Sequence, residues 1–196
     1  MTVSDAIDEL SRVTLFDLSR RRRDSLSPEE LSCLERQTIK RLPASSEEIR
    51  AAEHRLAVEL PSDHVEFLRC ANGVLLPEVA GHARWMLPIA EVARVDVLCP
   101  DVVTFLEEFG SGRNFVPLSV MPEAGNVMHD EQPDLNLLRK ALVIVDPGGP
   151  SDGVFLTPFP QFGSRAWEFW LLDPHSGCIR FRRIDDLLAF QSSRHE

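Results

Sequence analysis

Apolar residues recur at helical spacing through the first 71 positions of this 196-residue chain, and from residue 141 they fall into short strand-like blocks separated by turn chemistry. Helices first, then a strand meander and one closing helix, is the pattern of an α+β fold. It predicts helices packed on an antiparallel sheet and not a parallel doubly wound one. The strands are expected at 85–87, 115–119, 141–145, 154–156, 167–172 and 178–182.

Start and stop signals divide the helical part. Val3, Ile7, Leu10 and Leu18 share a face and predict a first helix over 3–18, followed by the basic corner Arg20-Arg21-Arg22-Arg23-Asp24. That run is short and has no interleaved aromatics, so a solvated corner explains it without a nucleic-acid partner. Ser27-Pro28-Glu29-Glu30 sets a capping serine, a proline at the first helical position and a glutamate able to reach back to the cap. A second helix is predicted over 28–41, docking through Leu31, Leu34 and Thr38. Ser45-Ser46-Glu47-Glu48 repeats the box before Ile49, Ala52 and Leu56, giving a third helix over 46–57. Ser62 reads as the cap of a fourth that buries Val65, Phe67, Leu68 and Ala71, with Asn72-Gly73 as its left-handed stop.

The period then changes. Residues 85–87 read as a short strand, 89–97 as a helix or turn, and Asp101 as the cap of a helix that buries Val102, Phe105, Leu106 and Phe109 and ends at Gly110. Pro117 confines a strand at 115–120 to an edge or a bulge, and 121–136 reads as a polar loop. The block 141–145 is a buried strand, and 167–172 and 178–182 flank the turn Asp173-Pro174-His175-Ser176-Gly177. Ile184, Leu187, Leu188 and Phe190 mark the closing helix.

Charge is distributed unevenly. Residues 1–42 carry eight acidic and eight basic side chains and residues 137–196 seven of each, so the whole net charge of −10 lies in residues 43–136. A negative field repels phosphate, which disfavours nucleic acid as a partner, and it speeds encounter with a basic protein. Solubility alone also accounts for such a charge. A chain this long buries roughly 70% of its unfolded surface without needing metal or disulfides. Cys33, Cys70, Cys99 and Cys178 lack C-x-x-C spacing and read as reduced thiols of a cytoplasmic protein. The acidic N-terminus does not resemble a secretion signal, and the longest aliphatic run, 141–145, is too short to span a membrane.

Catalytic motifs are missing: there is no G-x-S-x-G, no H-E-x-x-H, no phosphate-binding G-x-x-x-x-G-K-[ST] and no G-x-G-x-x-G. His129-Asp130-Glu131 offers metal-type ligands, but adjacent residues cannot all converge on one ion. His64, in the first turn of the fourth helix, reads as an exposed surface histidine, and His175 as a turn residue. Trp85, Trp167 and Trp170 read as packing residues. No catalytic, cofactor or metal site is predicted.

One arrangement is more telling than any catalytic motif. The order Ser46-Glu47-Glu48-Ile49, Ala52-Glu53, Leu56-Ala57-Val58, Leu60-Pro61, Phe67-Leu68, Asn72-Gly73, then Leu87-Pro88 with Ile89 and Val92, resembles the start of the SUKH superfamily, in its SMI/KNR branch. The strand at 141–145, the Ser-Asp-Gly turn before Val154, the aromatic strand ending in Asp173-Pro174 and the helix from Ile184 fit the same pattern. The resemblance implies a SUKH-like α+β domain over 43–196 behind a helical extension at 1–42. The extension and the long acidic loop depart from the family pattern.

The family further implies a non-catalytic protein-binding module. In bacteria that is often an immunity protein that neutralises a cognate polymorphic toxin by stoichiometric binding, and elsewhere a regulatory scaffold. A small hydrolase with an unrecognised site is the third alternative. Within the motif, Leu60, Phe67 and Leu68 read as core, and Glu53 as a partner for Arg50 or Arg69. A toxin with a basic face would be met by carboxylates, so the expected partner-binding residues are Glu123, Asp130, Glu131 and Asp134, in the stretch free of lysine and arginine.

Overall fold

The structure, a computed structural model, describes residues 2–79, 82–110, 127–128, 135–145, 153–158, 167–173 and 177–193. Three helices open on reciprocal caps. In α1 (Val3–Arg20) Thr2 and Asp5 exchange side-chain and backbone hydrogen bonds, as do Ser27 and Glu30 in α2 (Pro28–Arg36) and Ser45 and Glu48 in α3 (Ser46–Leu56). Each box satisfies two amides that the helix leaves orphaned, worth about 1 kcal/mol. Glu30 is buried and also accepts from Arg21 at 2.7 Å.

The second helix is shorter than its periodicity suggests. It stops at Arg36, with Gln37 left-handed at φ 53°, because the next residues pair elsewhere. Leu75 donates to the Ile39 carbonyl at 3.0 Å and Arg41 to that of Gly73 at 2.9 Å. Its buried side is Glu30 and Cys33, with Leu31 and Leu34 only half-buried and packed at the margin.

The limits of α4 (Ser62–Cys70) also differ from expectation. Pro61 occupies the cap position and Ser62 is the first helical residue. Asn72-Gly73 is not the left-handed stop, since the helix ends through Ala71 in an extended conformation, φ −157°. Gly73 is nevertheless favoured by shape: its φ is +112°, and a Cβ there would lie 2.6 Å from the Met86 carbonyl oxygen.

A hairpin follows, β1 (Leu75–Val79) and β2 (His82–Trp85), so the strand expected at 85–87 lies mostly earlier in the chain and outside the main sheet. Met86 instead forms a single bridge to Val145. Next come β3 (Ala93–Arg94), α5 (Val95–Leu98) and α6 (Pro100–Gly110). The expected strand at 115–120 lies outside the described residues. The presumed loop 121–136 contains β4 (Val127–Met128) and the first residues of α7 (Leu135–Leu138).

Then β5 (Leu142–Val145), β6 (Gly153–Pro158), β7 (Trp167–Asp173) and β8 (Gly177–Phe181) form the meander, closed by α8 (Ile184–Ser193). The main sheet runs β3-β5-β6-β7-β8-β4, antiparallel throughout. The fold class is therefore α+β, as the change of period indicates.

Alternation along these strands sends side chains to two cores. Leu142, Ile144, Val154, Leu156, Phe169, Leu171, Ile179 and Phe181 join a core walled by α1, α3, α4 and α8. Val143, Phe155, Trp170, Leu172 and Cys178 join another walled by α5, α6 and α7. A sheet covered on both faces needs apolar residues at nearly every position, which is why its strands read as continuous apolar runs. Residues before position 43 contribute directly, because α1 packs on α8 and α4 through Val3, Ala6, Ile7, Leu10 and Leu18.

Candidate protein-interaction surface

The four carboxylates expected to bind a partner, Glu123, Asp130, Glu131 and Asp134, lie outside the described residues, as do His129, His175 and His195. Among the described residues no group of three or more His, Cys, Asp and Glu side chains could hold a metal ion. No described helix is long and apolar enough to cross a membrane.

His64 corrects the sequence reading: it is buried and not on the helix surface. Its ring lies nearly parallel to Phe67, with centroids 5.9 Å apart, and tilted against Phe169 at 5.8 Å. Neither ring nitrogen has a hydrogen-bond partner among the described residues, and burial lowers its pKa to about 4. Helical phase explains the burial, since residues 64, 67 and 68 share one face toward the first core. A neutral imidazole enclosed by aromatics has no route to act on an outside substrate.

The polar residues of the motif turn out to hold backbone. Glu53 pairs with neither Arg50 nor Arg69; its carboxylate accepts from the Leu60 amide at 3.0 Å, fixing the α3–α4 connection. Asn72 Oδ1 accepts from the Ile89 amide at 2.7 Å. Arg55 donates to the carbonyls of Val92 (2.8 Å) and Ile89 (3.0 Å), and Arg94 donates back to Leu56 at 3.2 Å. These bonds fasten residues 89–94 to α3 and thereby set the position of α5, which starts at Val95. Arg55 and Arg94 escaped sequence reasoning because nothing local distinguishes a guanidinium aimed at a carbonyl from one in water.

The second core holds a buried ion pair. Glu168 accepts from Arg180 at 2.6 Å and from Trp170 Nε1 at 3.0 Å. The signal for it was present: one glutamate inside Trp-Glu-Phe-Trp and one arginine inside Ile-Arg-Phe, on adjacent strands.

The surface formed by α5 and α6 differs from both cores. Val95, Val102 and Val103 point inward, which leaves Val97 and Leu98 72% and 40% exposed. Asp96 on α5 and Asp101, Glu107 and Glu108 on α6 are all exposed, and residues 95–110 contain no basic side chain. Glu107 is bound by Arg139, whereas Asp96, Asp101 and Glu108 make no ion pair among the described residues. Helical spacing places Asp101, Thr104 and Glu108 on one face of α6. Exposed apolar and acidic side chains on neighbouring helices are suited to contact with a protein.

No curated protein matches the chain. The family model for the SMI1 / KNR4 family (SUKH-1) matches residues 43–176, a span that runs from the connection before α3 to the residue before β8 and takes in α5 and α6. With that span covering well over half of the sequence and the architecture in agreement, the chain belongs to the SMI1 / KNR4 family (SUKH-1).

Proposed function

We propose that this protein is a non-catalytic binding module of the immunity type, which neutralises a cognate toxin in the cytoplasm by forming a stoichiometric complex. The observation that carries this reading is the family match over 43–176, in a family consistent with immunity-like modules. Two features support it: the polar motif residues Glu53 and Asn72 are spent on backbone, and the net charge of −10 arises within the matched region. An acidic surface favours a protein with a basic face and disfavours nucleic acid.

The experiment is co-expression with candidate toxins from neighbouring genes, followed by purification. A one-to-one complex and restored growth are expected; toxicity unchanged by the chain, with no complex formed, overturns the reading. The carboxylates Glu123, Asp130, Glu131 and Asp134 are proposed to lie in the interface. Changing all four to their amides should slow association at low salt and flatten its salt dependence, and an unchanged rate removes that segment from the interface.

A further inference from the structure

Of the large apolar side chains exposed among the described residues, Phe16 is 61% exposed, Leu42 87%, Val97 72% and Leu98 40%. Phe16 already has the Arg20 guanidinium over its ring, 5.3 Å from the centroid. Leu42 stands singly in an extended connection whose carbonyl accepts from Asn72. Val97 and Leu98 are the adjacent pair, on a helix whose position is set by the bonds from Arg55 and Arg94. The fold takes nothing from their exposure, because Val95 supplies the inward contact of α5.

We infer that the α5–α6 face is a docking surface for a basic protein, with Val97 and Leu98 as the apolar centre and Asp96, Asp101 and Glu108 as the steering rim. This rests on the protein-binding reading above and locates it on the molecule. Charge selects the occupant. Carboxylates without a counter-cation among the described residues repel phosphate, which disfavours nucleic acid and anionic lipid, and attract lysine and arginine. Apolar contact then sets how long the complex lasts, while the rim sets how quickly it forms.

Two variants of the full chain separate these roles, each measured by stopped-flow and surface-plasmon binding against the toxin that the wild type neutralises. Val97→Ser with Leu98→Ser should raise Kd about tenfold, through faster dissociation. Asp96→Asn, Asp101→Asn and Glu108→Asn together should lower the association rate and flatten its dependence on salt. The three carboxylates are exposed, so their variant should keep the wild-type melting temperature; Leu98 is 40% exposed, so the serine variant should lose a few degrees and remain folded, which is measured alongside. If the wild type binds and both variants match it in Kd and salt dependence, the inference is overturned and the proposed function stands. If the wild type binds no toxin, both fall.

Discussion

The two faces of the six-stranded sheet bury polar side chains in opposite ways. On the inner side of α4, on the face shared with α1, α3 and α8, His64 lies among aromatic rings with no hydrogen-bond partner among the described residues. On the face covered by α5, α6 and α7, Glu168 and Arg180 are equally buried but remain in contact, with Trp170 as an additional donor. An imidazole sheds its proton near neutrality, so burial alone can discharge it. A guanidinium cannot be discharged in a protein and must be buried with a counter-charge. The lesson is that the reachable neutral form, and not polarity as such, decides whether a group can be buried without a partner.

The largest effect should come from breaking the pair. Glu168→Leu removes the counter-charge from Arg180 and the acceptor from Trp170, and should lower stability by about 3–5 kcal/mol in urea unfolding. Glu168→Leu combined with Arg180→Met should recover most of that loss. A double variant no better than the single one would show that the contrast between the faces is misplaced.

The histidine should make its own face sensitive to acid. With a folded pKa of about 4 against an ordinary 6.5, the unfolded chain binds more protons between those values. The stability that neutral His64 allows is therefore complete above pH 6.5, falls as the pH drops and levels off below about pH 4. The total loss from this group is about 3 kcal/mol. Comparing urea unfolding of the wild type and His64→Phe at several pH values isolates it, and identical pH profiles would mean that His64 finds a partner when protonated.

Smaller effects sharpen the picture of the first face as one held by shape. Gly73→Ala forces a Cβ against the Met86 carbonyl at a positive φ, and should cost about 1–3 kcal/mol in thermal or chemical melts. A melt equal to wild type would mean that the backbone at 73 and 86 can part without penalty. Ser45→Ala should cost about 1 kcal/mol by removing the α3 cap, the least of the four.

Sequence alone determined what is local in this protein. The boxes at Ser27 and Ser45, the apolar faces of α1 and α3, the four central strands and the closing helix all follow from neighbours within a few residues, and hydrogen bonds of that range form wherever the chain goes. The α+β class followed from their order, and the family from the spacing of motif residues between Ser46 and Val92. Tertiary structure decided everything that depends on a distant partner. Residues 39–41 leave the second helix because the backbone at 73–75 offers them hydrogen bonds. Asp63, next to a serine that reads as a cap, instead accepts from Ile184 at 3.0 Å and so anchors the start of α8. Glu53 selects the Leu60 amide over a nearby arginine, and His64 turns inward on the phase of α4. In each case the local signal was compatible with two environments, and the choice went to the arrangement that satisfied buried backbone or filled the core, which only the assembled layers can specify.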